Sequence, residues 1–162
     1  VIRDWRSGDI GRLVALHGAY YAGRWAFAPC FEAEVAEEMG AFCRRIDPSR
    51  EGLWVMAEDG APALGGIALQ AEIDGAARVR WFMVDPAAHG QGVGEALLKH
   101  AVNFARAGGY GRIRLHTFRG LDAAHRLYRR HGFVLTDEMA GAPWGPPLML
   151  QTFELEVCHD RA

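Results

Sequence analysis

Between Val84 and Leu98 the chain reads Val-Asp-Pro-Ala-Ala-His-Gly-Gln-Gly-Val-Gly-Glu-Ala-Leu-Leu. An apolar strand enters a loop with glycines at 90, 92 and 94, then passes directly into good helix formers. Glycine lets backbone N–H groups come close to a ligand. A helix N-terminus adds unpaired donors and the positive end of the helix dipole. Together these suit a pyrophosphate; a tight strand-to-helix turn without a ligand would use the same residues. Spacing excludes two common phosphate loops. G-x-G-x-x-G needs a glycine where Glu95 or Leu97 stands, and G-x-x-x-x-G-K-[ST] needs a Gly-Lys pair, whereas the only lysine is Lys99.

A second cluster lies in Ala123-Ala124-His125-Arg126-Leu127-Tyr128-Arg129-Arg130-His131-Gly132-Phe133. Tyr128 is either a core ring or a phenol placed to give up a proton. His125 and His131 read as surface or pocket-rim residues. A third group, His17, Tyr20, Tyr21, Trp25 and Phe27, could line a pocket for an apolar or cationic group or form a small core under a long loop. Trp144-Gly145-Pro146-Pro147 would be the opposite wall.

The elements that position these groups follow from periodicity and turn residues. Ile2 to Arg6 reads as a strand, and Gly8-Asp9 opens a helix with Ile10, Leu13 and Val14 at helix spacing. An aromatic loop is expected from Tyr20 to Pro29, then a helix from Phe31 to Ile46 that Asp47-Pro48 ends. Leu53–Glu58, Leu64–Ile73 and Arg78–Val84 read as a meander turned at Asp59-Gly60 and Asp74-Gly75. A helix from Gly94 to Ala107, a strand Arg112–Phe118, a helix Leu121–His131 and strands Phe133–Asp137 and Leu148–Val157 complete the order. Val79, Trp81 and Met83 alternate as one packed strand face. Hairpins first and crossovers later predict a mixed α/β (α+β) sheet.

The 162 residues fit one domain, over 1–158, with 159–162 as a tail. A net charge of -2 argues against nucleic-acid binding by this domain. No apolar run spans a membrane and no signal peptide is seen, which suggests a cytoplasmic protein. Cys30, Cys43 and Cys158 form no CxxC pair, so no metal site is expected.

His89-Gly90-Gln91-Gly92-Val93-Gly94 resembles the acyl-CoA signature of the GNAT N-acetyltransferase superfamily, [QR]-x-x-G-x-[GA], with His89 in place of Gln or Arg. Ala124, Leu127, Tyr128, Gly132 and Phe133 are similar to its second signature, A-x-x-L-Y-x-x-x-G-F, with Leu121 where asparagine is common. The resemblance covers essentially the whole chain. It implies a mostly antiparallel central sheet of about seven strands flanked by about four helices. It implies acetyl-CoA as cofactor, held by Met83, Val84, His89, Gly90, Gln91, Gly92, Val93, Gly94 and Glu95. It implies Tyr128 as general acid toward the departing thiolate, a small-molecule or peptide amine as acceptor, and possible homodimers. The family often places a glutamate base near the start of the strand that holds the pantetheine arm. Arg78 stands there and cannot act as a base, which leaves Glu72, His17, His116, Glu32 and Asp137. Ile2-Arg3-Asp4-Trp5-Arg6 with Gly8-Asp9, and Leu121, further resemble the acetyltransferase half of bacterial MarR–GNAT fusion proteins. The alternative reading is a non-catalytic acyl-CoA sensor.

Overall fold

The computed structural model describes residues 1–157; Cys158 and the tail expected at 159–162 lie outside the described residues. The elements run β1 (Ile2–Asp4), α1 (Asp9–Trp25), α2 (Pro29–Arg45), β2 (Gly52–Met56), β3 (Gly65–Ala71), β4 (Ala77–Val84), α3 (Val93–Ala107), β5 (Arg112–Phe118), α4 (Asp122–Arg130), β6 (Val134–Gly141) and β7 (Leu148–Glu156). One seven-stranded sheet has the order β1-β2-β3-β4-β5-β7-β6. All neighbours are antiparallel except β4 and β5, which the α3 crossover makes parallel. The mixed, mostly antiparallel sheet with four helices is therefore the fold expected from the sequence.

Each face of the sheet carries its own core. On one, Leu97, Leu98, Ala101 and Val102 of α3 pack with Leu127 and Tyr128 of α4 over Ile67, Val79, Leu115 and Phe153. On the other, Leu13 and Leu16 of α1 and Val35, Met39 and Phe42 of α2 pack over Leu53, Val55 and Ala68. The apolar spacing of these helices explains the burial: each presents residues three or four apart to the sheet. α1 packs closely on β3 at Gly66, where an added Cβ would stand 2.8 Å from Leu13 Cδ1.

The N-terminal motif has a local explanation. Gly8 takes φ 97° ahead of α1, and Asp9 is buried in its first turn. Its carboxylate accepts hydrogen bonds from Arg3 Nη1 and the Arg6 backbone N–H, both at 2.7 Å. The motif thus fastens β1 to α1. No helix among the described residues is long and apolar enough to cross a membrane.

Two expectations are corrected. Tyr20, Tyr21 and Trp25 lie on the last turns of α1 rather than in a loop. The helix continues because tertiary packing of these rings outweighs their modest helix propensity. It ends only at Ala26, in a left-handed conformation with φ 57°. The second correction concerns β4. Gly66 opposes Met83 and Ala68 opposes Arg80, so Ile67 alone faces both Trp81 and Phe82. This bulge switches the strand's facing. Val79 stays in the α3/α4 core, whereas Trp81 and Met83 turn into the α1/α2 core.

Candidate active site

The site begins where two strands part. β4 and β5 pair only at Ala77–Ile113, Arg78–Arg114 and Val79–Leu115. β4 continues to Val84 and β5 to Phe118, so the facing edges beyond those pairs have no ladder partner. Trp81 holds φ 46° at the bulge. A left-handed non-glycine residue costs about 1–3 kcal/mol, a strain often kept where a strand must be re-aimed at a site. A cavity of about 1360 Å³ opens at this gap, bounded by α1, α2, β4, β5, the start of α3, α4 and the β6–β7 end.

The glycine loop forms one end of the cavity. Asp85 closes β4, accepts from the Ala87 N–H at 2.9 Å and pairs with Arg12 of α1 at 2.5 Å. The Ala87 N–H and the Arg12 guanidinium beside it hold the Asp85 carboxyl below the usual range. A single 3-10 turn over Pro86–Ala88 leads to Gly90 at φ 77° and Gly92 at φ 78°, and α3 starts at once. A Cβ added at Gly90 or Gly92 would meet nothing within 4 Å. No side chain caps the first turn of α3, so its amides are left for solvent or a ligand. That geometry fits an anion, and a diphosphate in particular.

Of the nine residues expected to hold a cofactor, eight lie on the cavity wall: Met83, Val84, His89, Gly90, Gly92, Val93, Gly94 and Glu95. Gln91 does not, and its amide turns back toward the Ala87 carbonyl at 3.4 Å. The His89 ring also turns inward, with Nε2 3.1 Å from the Val84 carbonyl oxygen. Glu95 pairs with Arg130 at 3.1 Å and His131 at 2.7 Å, which ties the start of α3 to the end of α4.

Tyr128 rises from α4 on the opposite side of the gap from α1. It is buried among Phe82, His125, Phe133 and Phe153 and still touches the cavity. Burial raises the pKa of its phenol. The ring therefore remains protonated at neutral pH, the state a proton donor needs. His125, expected at the rim, is instead 5% exposed, 5.1 Å from the Phe153 ring, because α4 turns this side chain toward the sheet. Leu121 precedes α4 and gives it no side-chain cap.

The other wall is aromatic. Tyr21 stacks on Phe27 at 5.2 Å, Phe31, Phe118 and Trp144 meet these rings edge-on or tilted at 5.0–5.9 Å, and Trp25 meets Phe118 edge-on at 4.8 Å. Burial, followed by the neighbouring Tyr128 and Tyr20 phenols, raises the pKa of Tyr21. His17 is buried beside it, with Nδ1 2.7 Å from the Leu13 carbonyl oxygen, and burial lowers its pKa to about 4. His116 is likewise lowered to about 4, by burial first and then by Arg78, Arg114 and Arg80. Of the candidate bases, His17, His116 and Asp137 reach the wall and Glu32 and Glu72 do not. Glu72 instead faces Arg78 Nε at 3.9 Å.

Sequence reasoning did not find Phe31 and Phe118 as part of this wall. Both fall at ordinary core spacing on α2 and β5, so only the tertiary fold brings them to Tyr21.

A family model described as the acetyltransferase (GNAT) family matches residues 19–133. The fold is similar to that of yncA from Salmonella typhimurium, solved with its cofactor acetyl-CoA, at a TM-score of 0.80 and 20% identity over 100% of this chain and 96% of that one. It is similar to an N-acetyltransferase from Staphylococcus aureus Mu50, at 0.79 and 20% identity over 98% of each chain. It is also similar to the ribosomal-protein-alanine N-acetyltransferase of Brucella melitensis, at 0.77 and 17% identity over 96% and 99%. No curated protein sequence matches significantly. With the family model covering most of its length, the chain belongs to the GNAT acetyltransferase family.

Proposed function

We propose that this chain transfers the acetyl group of acetyl-CoA to a primary amine by direct attack within a ternary complex. One observation carries the reading: the glycine loop, the parted edges of β4 and β5, and the Tyr128 phenol all border a single cavity. Bound acetyl-CoA would supply an activated thioester. The N–H groups from Gly90 to Glu95 would hold its diphosphate by charge and geometry. The main chain of Met83 and Val84 would pair with the pantetheine arm as an added strand. Tyr128 would give its proton to the departing sulfur, a contribution of roughly 10²–10⁴-fold. The relatives' names point to more than one acceptor, so the fold alone leaves the acceptor to be assigned from this chain's own wall.

The test follows thiol release with acetyl-CoA and an amine panel. Tyr128→Phe should lower turnover by about tenfold or more, with affinity for CoA little changed. Undiminished turnover would remove Tyr128 from this role, and binding without turnover over a broad panel would make the chain a sensor. The MarR–GNAT relationship is a separate proposal, tested by whether the gene encodes a winged helix ahead of Val1.

A further inference from the structure

We infer that His17 Nε2 receives the proton of the attacking nitrogen, and that the acceptor is an amine already neutral near neutral pH, an arylamine or arylhydrazine. The inference rests on the acetyl-transfer reading and assigns its acceptor side.

The geometry of His17 is the first argument. Its Nδ1 lies 2.7 Å from the Leu13 carbonyl oxygen. A carbonyl only accepts, so Nδ1 carries the hydrogen and Nε2 presents a bare lone pair. The preceding turn of α1 therefore fixes the tautomer. His17 reaches the cavity from α1, on the sheet face opposite Tyr128. Tyr21 lies 6.4 Å from it by ring centroids, and Tyr21 and Tyr128 line the same cavity. The groups acting on the imidazole are the Leu13 carbonyl and its apolar surroundings; no charged side chain of α1, α2, β4 or α4 contributes.

The rivals are weaker. His116 stands among Arg78, Arg80 and Arg114, whose field opposes a gained proton. Asp137 is exposed on the edge strand β6.

The wall then selects the substrate. A buried imidazole is too weak a base to strip an alkylammonium, whose acidity is like that of lysine at about 10.4. It suffices for a nitrogen that arrives neutral and turns acidic as its bond to carbon forms. On α2, the charge of Glu38 is already matched by Arg80, and Glu34 is held against Trp144 Nε1 through one of its oxygens. Tyr21, Phe27 and Trp144 all line the cavity, and an aromatic wall of this kind suits an aryl ring. In the step, the amine nitrogen bonds to the acyl carbon and the carbon–sulfur bond breaks. One N–H proton passes to His17 Nε2, and the Tyr128 proton goes to sulfur. Solvent then reprotonates Tyr128 and deprotonates His17, leaving no net charge.

The experiment offers aniline, phenylhydrazine and cyclohexylamine with acetyl-CoA to the wild type and His17→Gln, with CoA binding measured in parallel. The two aryl substrates should turn over at least about tenfold faster than cyclohexylamine, and His17→Gln should lower kcat on aniline about a hundredfold with CoA affinity within about twofold. Nitrogen-15 NMR of the wild type should show His17 Nε2 unprotonated and shifted by aniline in the presence of CoA. Equal turnover by His17→Gln, preference for cyclohexylamine, or no aryl turnover by protein that binds CoA overturns the inference. Should His17→Gln not fold, an Nε2 that is protonated or insensitive to aniline overturns it on the wild type. Failure of the wild type to bind CoA instead overturns the reading on which this one rests.

Discussion

Replacing Gly92 with alanine separates the cost of backbone strain from the cost of a filled cradle. Gly92 holds φ 78°, and a Cβ there meets nothing within 4 Å. The folded protein therefore feels only the left-handed conformation, roughly 1–2 kcal/mol for a residue with a Cβ. For a domain of this size each kcal/mol moves Tm by about 2–4 °C, so Tm should fall by about 2–8 °C. The open space is the point: the methyl group would occupy the room through which a diphosphate approaches the α3 amides. Affinity for CoA should fall by at least about tenfold, or roughly 1.4 kcal/mol. Gly60 is the matched control. It holds φ 76° in equally open space, in the β2–β3 turn and off the cavity wall. Gly60→Ala should show a similar loss of Tm with CoA affinity unchanged. Thermal unfolding and calorimetry on both variants decide the matter. Equal affinities in Gly92→Ala and the wild type, or equal losses in both variants, would refute the cradle.

Three further outcomes follow from the same geometry. Gly94→Ala should be tolerated, because its Cβ meets Leu127, Phe82 and Val84 at an ordinary 3.5–3.6 Å; helix propensity should add about 0.5–1 kcal/mol of stability, read by thermal unfolding, with CoA binding kept. Gly66→Ala should cost about 1–3 kcal/mol by overpacking α1 on β3, since the new methyl would crowd Leu13 and stand 3.2 Å from the Trp54 carbonyl oxygen. Buried, neutral His17 sets a pH dependence. Its folded pKa of about 4 lies below the ordinary value of about 6.5, so between them the unfolded chain binds more protons. Its contribution is complete above about pH 6.5 and is lost as pH falls toward about 4. Tm measured against pH should fall less steeply over that window in His17→Gln.

The element order and the mixed sheet were legible in local signals, and eight of the nine residues that the family resemblance implied stand on the cavity wall. Glycine spacing, Asp-Gly turns and the start of a helix after Gly92 are dictated by neighbours in the chain. What stayed hidden depends on distant partners. Trp81 keeps a strand-like apolar alternation with Val79 and Met83, so nothing local betrays the bulge that turns it to the other face. Tyr20, Tyr21 and Trp25 have the composition of an aromatic loop. Only Phe27, Phe31, Phe118 and Trp144, brought from four other segments, make it worthwhile to keep them helical. His125 reads as a rim histidine until Phe153 of β7 is seen beneath it.

The most direct measurement is a calorimetric titration of the wild-type protein with CoA at neutral pH. Saturable binding at a single site per chain is the predicted result. A heat trace indistinguishable from ligand dilution, with the protein shown to be folded, would contradict the assignment of the cavity between β4 and β5.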